Sequence, residues 1–187
     1  MEKMSAVKRA ILCAACIALC YALPMAFHAF GAGSVFLPMH IPVFICGLTC
    51  GWPYGLLCGI AGPAISSALT NMPPVAMLPT MVVELAVYGV VSGILMQIVR
   101  TKRLYVDLYI SLVVAILAGR VLAGMARALI FAAGSYSMAA WVSGYLVTSW
   151  PGTLIQLLFI PSLVYALMQA RLIPQRYPKT KTGDRKV

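Results

Sequence analysis

Charged residues are scarce in this chain, and acidic ones most of all. Only 10% of its 187 residues are charged, with four Asp and Glu in total, whereas 62% are hydrophobic and the mean hydropathy is +0.94. A soluble domain carries about 25% charged residues. The composition therefore excludes an ordinary water-soluble domain and predicts an integral membrane protein, with room for about six spans.

The signature motifs of common enzymes are also missing. There is no Gly-x-x-x-x-Gly-Lys-Ser/Thr phosphate loop, so this chain is not expected to hydrolyse ATP by that route. HExxH and Gly-x-Ser-x-Gly are absent as well. Glu84 is the only carboxylate predicted deep within a span, which leaves no acid pair for membrane proteolysis. We expect no enzyme and no cofactor, and keep a small membrane enzyme or an accessory membrane protein as alternatives.

The basic residues gather at the ends of apolar stretches. The net charge is +10, and 12 of the 14 Lys and Arg fall in three clusters. These are Lys3, Lys8 and Arg9; Arg100, Lys102 and Arg103; and Arg171, Arg176, Lys179, Lys181, Arg185 and Lys186. None alternates with base-stacking aromatics, so no nucleic acid is expected as a partner. The pattern instead indicates the positive-inside rule of a polytopic membrane protein, and it favours anionic headgroups.

The charge-free stretch of residues 41–70 decides the topology. As one helix it would reach ~45 Å, against a hydrocarbon core of ~30 Å. Pro53 ends or kinks a helix, and Gly51 supplies the freedom of a turn. If the stretch crosses twice, all three basic clusters lie inside and the charge-free connections lie outside. We therefore predict a helical hairpin turning at residues 51–55, in an all-α compact bundle of six transmembrane helices with both termini cytoplasmic.

The remaining organisation is simple. Residues 1–170 are expected to form a single six-helix transmembrane domain, and residues 171–187 a basic, disordered cytoplasmic tail. Residues 10–30 resemble a signal peptide in composition, but the small-residue pattern in their interior favours a retained first helix. Two spans within residues 41–70 are short, so part of residues 35–40 is expected to extend the first of them.

Three ionisable groups fall well inside predicted spans: Glu84, Arg120 and Arg127. A charge at a helix centre costs at least about 2.5–3.5 kcal/mol, so such groups usually face a partner or a watery cavity. In one interpretation Glu84 pairs with an arginine and the role is structural. In the other, an arginine binds an anionic or strongly polar ligand. Arg127, nearer the outer end, is then the expected ligand contact and Arg120 the expected partner of Glu84.

Four further residues at the predicted outer ends are candidate ligand contacts: His40, Asn71, Tyr136 and Trp141. An interfacial aromatic belt accounts for the aromatic ones equally well. A pocket for a flat organic ligand would use the same residues, because such pockets are mostly apolar with few polar groups. In the alternative interpretation, a histidine in a loop or at the membrane interface is hydrogen-bonded to water and contacts no ligand.

The first predicted helix contains three cysteines that could in principle bind a metal ion. Cys13, Cys16 and Cys20 share one helical face, and three thiols are a possible soft-metal set. No acid or histidine accompanies them at that depth, so we expect no metal. Buried cysteines of this kind behave as small hydrophobic residues.

The same helix carries small residues at a spacing of four: Ala10, Ala14 and Ala18. Small residues at i and i+4 let another helix approach closely in lipid. Either these alanines pack within the bundle, or they form a docking face for another membrane protein.

These features together resemble a known family, the substrate-binding S components of energy-coupling factor (ECF) vitamin transporters. The resemblance covers nearly the whole chain and rests on its length, its six predicted spans and the alanine-rich first helix. It also rests on the block LPMHIPVFICGLTCGWPYGLLCGIAGPAISSAL, with its Gly51-Trp52-Pro53-Tyr54-Gly55 turn, and on the segment LPTMVVELAVYGVVSGIL.

The resemblance implies a binding subunit in the plasma membrane of a prokaryote. It would capture a water-soluble vitamin near the outer face, beneath a lid formed by the loop after the first helix. It would work with a membrane coupling protein, docked on Ala10, Ala14 and Ala18, and with two cytoplasmic ATPase subunits. Two arginines against one glutamate favour an anionic vitamin such as pantothenate, folate or lipoate, while a pyridoxine-like or cobalamin-like substrate stays open.

Overall fold

The computed structural model describes residues 4–29, 37–131 and 137–177, and within these ranges all regular secondary structure is helical. Seven α-helices follow one another along these ranges. They are α1 (Ala6–Ala29), α2 (His40–Cys50), α3 (Trp52–Thr70), α4 (Leu78–Ile98), α5 (Leu104–Ala126), α6 (Met138–Val142) and α7 (Trp150–Gln169). π-helical turns over Arg127–Phe131 and Ser143–Thr148 continue α5 and α6.

Among the described residues, four helices are long and apolar enough to cross a bilayer. The qualifying segments are Ala6–Phe27, Leu78–Ile98, Leu104–Ile130 and Trp150–Gln169. With 11 residues, α2 spans only about 16 Å, roughly half a hydrocarbon core. The 19 residues of α3 include two prolines, three glycines and, near its end, two serines. The six-span count and the cytoplasmic termini remain predictions.

The predicted hairpin is present, and its turn lies at Gly51. This residue has φ +95°, a left-handed conformation that glycine adopts without strain, and it separates α2 from α3. Gly47 and Gly55, four residues to either side, lie against each other, so the two helices run antiparallel. Of residues 37–40, only His40 belongs to α2, because residues 38–39 form a turn. The expected extension of this helix into residues 35–36 lies outside the described residues.

The short helix α2 forms the centre of the bundle. Nine of its 11 residues are buried, and α1, α3, α4 and α7 all pack against it. Phe44 stacks on Tyr88 of α4, with ring centroids 4.7 Å apart. The six cysteines are free and buried, and the α1 thiols of Cys13 and Cys20 donate to the carbonyls of Tyr54 and Met39 at 3.6 and 3.7 Å. An apolar, centrally packed α2 thus fixes its first residue, His40, in the interior.

Glycines allow α3 and α4 to pack backbone to backbone. A Cβ at Gly55 would collide with the Gly89 backbone, and one at Gly89 would collide with Gly55. Gly59 meets the Leu85 backbone in the same way. Residue 55 lies against residue 89 and residue 59 against residue 85, so α3 and α4 are antiparallel. This tight packing fixes one face of α4 and orients Glu84.

The expectation of a disordered tail from Arg171 is wrong for residues 171–177. Ile173 and Arg176 are buried. The Arg176 Nε donates to Asp107 Oδ2 at 2.7 Å, and the Tyr177 hydroxyl donates to the same oxygen at 2.6 Å. An ion pair and an apolar anchor therefore hold this polar segment against the bundle, and composition alone did not reveal them. Residues 178–187 lie outside the described residues.

Candidate functional site: a buried polar cluster

A polar cluster lies inside the apolar bundle, and its first members come from α4 and α2. Glu84 and Tyr88 are one turn apart on α4, and the Tyr88 hydroxyl donates to Glu84 Oε1 at 2.5 Å. His40 Nε2 lies 3.8 Å from the same carboxylate oxygen. All three residues are buried. His40 is the first residue of α2, and α2 runs parallel to the adjacent part of α4. The hairpin therefore brings His40 beside Glu84 and Tyr88.

Arg120 of α5 brings a cation to the same cluster. Its Nη2 donates to the Thr153 hydroxyl of α7 at 2.5 Å, and it interacts electrostatically with Glu84 and Tyr88. Close approach of the helices depends on Gly119, where a Cβ would collide with the Tyr88 ring. Glu84 and Arg120 thus offset each other in a site that excludes most water, where an uncompensated charge would be costly.

In this region, two neutral side chains each have a buried nitrogen without a hydrogen bond. These nitrogens are His40 Nδ1 and Gln156 Nε2, neither of which has a partner in the part of the chain that the structure describes. The residues are only 2% and 1% exposed, and Gln156 lies one helical turn along α7 from Thr153. A buried polar group left unsatisfied costs about 1–3 kcal/mol, so such groups require an explanation. A bound polar molecule that supplies the missing partners is one.

Trp141 packs against the backbone of α5 at Arg120 and Gly124. Its indole Nε1 donates to the Arg120 carbonyl at 3.2 Å, and its ring fills the space beside Gly124. Between α5 and α6 it lines an open apolar cavity of about 300 Å³, together with Val121, Met125 and Met138 among others. Trp141 thus connects this apolar cavity to the backbone of Arg120.

The predicted site residues divide into two groups. His40, Glu84, Arg120 and Trp141 come together in and around the cluster. The second group consists of the remaining three. Arg127 begins the π-helical turn two turns beyond Arg120 and is half-buried, Asn71 is exposed at the end of α3 with φ +57°, and Tyr136 lies outside the described residues.

The sequence interpretation missed three members of this region: Tyr88, Thr153 and Gln156. Tyr88 follows Glu84 by four residues and therefore shares its helical face, a signal that was available. Gln156 is an amide in the middle of a long apolar helix, where polar side chains usually have a function. Thr153 carried no distinguishing signal, because threonine is common in membrane helices.

The alanine face of α1 is exposed to the surroundings of the bundle. Ala10, Ala14 and Ala18 are all exposed, whereas Cys13 and Cys16 point into the core at 2% and 5% exposure. These alanines therefore do not pack within this bundle, which removes the first of their two interpretations. Their role in docking another protein remains a prediction.

Fold and site together define an integral membrane protein of apolar helices around a buried polar cluster. Residues 8–172 match the family of ECF transporter substrate-specific components. The chain belongs to this family, which confirms the resemblance noted in the sequence and the expected roles in transport and substrate binding. Such components are substrate-binding subunits and not a class of enzymes. No curated protein and no solved structure matches the chain.

Proposed function

We propose that this protein captures a water-soluble vitamin or related micronutrient at the outer face of a prokaryotic plasma membrane. It delivers the substrate for ATP-driven uptake together with a membrane coupling protein and two cytoplasmic ATPase subunits. Family membership supports the binding role, and the missing phosphate loop agrees with ATPases on separate chains.

The observation that carries the proposal is the pair of unsatisfied nitrogens within a buried, charge-balanced cluster. Neither His40 Nδ1 nor Gln156 Nε2 has a hydrogen-bond partner among the described residues, so both can bind a polar ligand. Polar groups in a dry site discriminate strongly, because a wrong ligand leaves them unpaired.

The outer part of the proposed site consists of Arg127, Asn71 and Tyr136. Arg127 is the proposed contact for an acidic group of the substrate, since it lies nearer the predicted outer end of its helix than Arg120. This assignment favours an anionic vitamin such as pantothenate, folate or lipoate. Trp141 is the proposed apolar contact of the substrate.

A thermal-shift screen of the purified protein against a panel of water-soluble vitamins, without ATP, tests the proposal. We expect one vitamin to raise the unfolding temperature of the wild-type protein. Gln156→Met should weaken that ligand's binding by about tenfold or more, the loss expected for one buried hydrogen bond of roughly 1.5 kcal/mol. Ser162→Ala is the matched control on α7, because Ser162 is exposed and bonds only its own helix, at Leu158 O. Stabilisation by no vitamin of the panel would contradict the proposal.

A further inference from the structure

A second cavity lies at the opposite end of the bundle from Trp141. Its volume is about 370 Å³, within the size range of pockets that hold small molecules. It lies among the start of α1, the hairpin turn, the end of α4 and the segment after α7. Since α1, α4 and α7 are all candidate spans, the cavity lies at the level where spans end and headgroups begin.

The cavity has an apolar floor and a basic wall. Leu48, Met96, Met168 and Ile173 supply the apolar side chains, and Arg9 and Arg176 supply the charge. No Asp or Glu lines it among the residues that the structure describes. This combination suits a molecule with an acidic head and an apolar tail.

The two arginines differ in their hydrogen-bond partners and in whether a carboxylate neutralises their charge. The charge of Arg176 is already neutralised: its Nε donates to Asp107, and its terminal nitrogens donate to the carbonyls of Met96 and Val99. The Arg9 Nε is buried and has no hydrogen-bond partner in the described chain. Its guanidinium lies over the Tyr54 ring, 5.6 Å from the centroid, which fixes it beside the cavity. Within the described residues, Arg9 thus has an unused donor and no neutralising carboxylate.

We propose that this cavity binds the headgroup of an anionic phospholipid, with the phosphate on Arg9 and the glycerol and first acyl carbons on the apolar floor. Position and chemistry agree, because the basic residues that flank the spans cluster at this end and attract anionic lipid. A bound headgroup would join α1 to the hairpin turn and to the end of α4, where the Gln97 amide lies beside Gly51. The proposal is independent of the vitamin site, with which it shares no residue.

Native mass spectrometry of the detergent-purified protein, titrated with phosphatidylglycerol or with phosphatidylcholine of the same acyl chains, tests it. We expect preferential retention of one phosphatidylglycerol. Arg9→Gln should reduce its affinity about fivefold, the factor expected for one basic residue near an anionic surface. Lys8→Gln is the matched control, because it removes the same charge from an exposed neighbour that does not line the cavity.

A second pair of variants keeps the test decisive if Arg9→Gln does not fold. Gln97 is exposed and lines the cavity, so Gln97→Lys should strengthen phosphatidylglycerol binding and Gln97→Glu should weaken it. Three results would overturn the proposal. These are equal retention of both lipids, equal losses in Arg9→Gln and Lys8→Gln, and displacement of the lipid by soluble glycerol 3-phosphate, which would mark a site for a free phosphate compound.

Discussion

At the scale of single residues, two buried carboxylates are held in different ways. Glu84 lies in the middle of the bundle with Tyr88, His40 and Arg120 around it. Asp107 lies near the start of α5, fully buried, and is saturated by Arg176, Tyr177 and Thr101. The first carboxylate belongs to a cluster with unsatisfied nitrogens. The second belongs to a fully hydrogen-bonded ion pair that holds the segment after α7.

The buried ion pair of Asp107 and Arg176 predicts a specific effect on stability. Asp107→Asn should destabilise the protein by about 3–5 kcal/mol, because it leaves the buried Arg176 without its counter-charge. The double variant Asp107→Leu with Arg176→Met should recover most of that loss, since replacing both ions by apolar groups is often neutral. Denaturant unfolding in detergent measures both. Equal stability of Asp107→Asn and wild type would contradict the role given to the pair.

Sequence predicted four members of the site, including both charged ones, and missed Tyr88, Thr153 and Gln156. Glu84 and Arg120 stand out because a charge within an apolar run is conspicuous. Thr153 does not stand out, because its partner lies on another helix. Asp107 was overlooked because its partner Arg176 lies 69 residues away, in a segment that composition marks as tail.

At the scale of helices, the contact between α3 and α4 depends on the absence of side chains. Gly55 and Gly89 touch through their backbones, and the same packing holds Glu84 and Tyr88 against α2 and α5. Small residues permit such close approach where lipid supplies no hydrophobic driving force between helices.

A methyl group at this crossing should separate the two helices. Gly89→Ala is expected to destabilise the fold by about 1–3 kcal/mol, as overpacked cores do, and to weaken ligand binding as α4 shifts. Gly144→Ala is the matched control, because a Cβ there meets nothing within 4 Å. Unfolding of both variants in detergent gives the comparison, and equal stability of the two would show that the crossing tolerates a side chain.

The hairpin itself was predictable, but its packing was not. Gly51 and Pro53 marked the turn, and charge parity required one. The pairing of Gly55 with Gly89 is a contact between distant parts of the chain that no local pattern encodes. Nor did the sequence show that α2 is central and only 11 residues long.

At the scale of the whole molecule, α1 presents two faces with different tasks. Its cysteines pack on the bundle, and its alanine face at Ala10, Ala14 and Ala18 points away from it. Family membership was predictable from length, spans and motif together, because each feature constrains the whole chain. The identity of the substrate was not, since it depends on contacts that form only between distant helices.

Docking on the alanine face predicts a separation of binding from transport. Ala14→Trp should abolish uptake by the assembled transporter, because a bulky side chain blocks close helix approach, while vitamin binding to the isolated subunit is unchanged. Leu19→Trp adds bulk at an exposed position on another face of α1 and should leave uptake intact. Radiolabelled uptake beside a binding assay decides the matter, and normal uptake by Ala14→Trp would refute the docking assignment.

The central claim, that the buried cluster binds the substrate, is tested most directly by one comparison. Isothermal titration without ATP measures the affinity of the vitamin for the wild-type protein and for Glu84→Gln, which keeps the side-chain shape and removes its charge. We predict one ligand per wild-type chain and an affinity at least about tenfold weaker in the variant, the loss expected for a hydrogen bond to a charged group. Equal affinity of the two proteins would contradict the account.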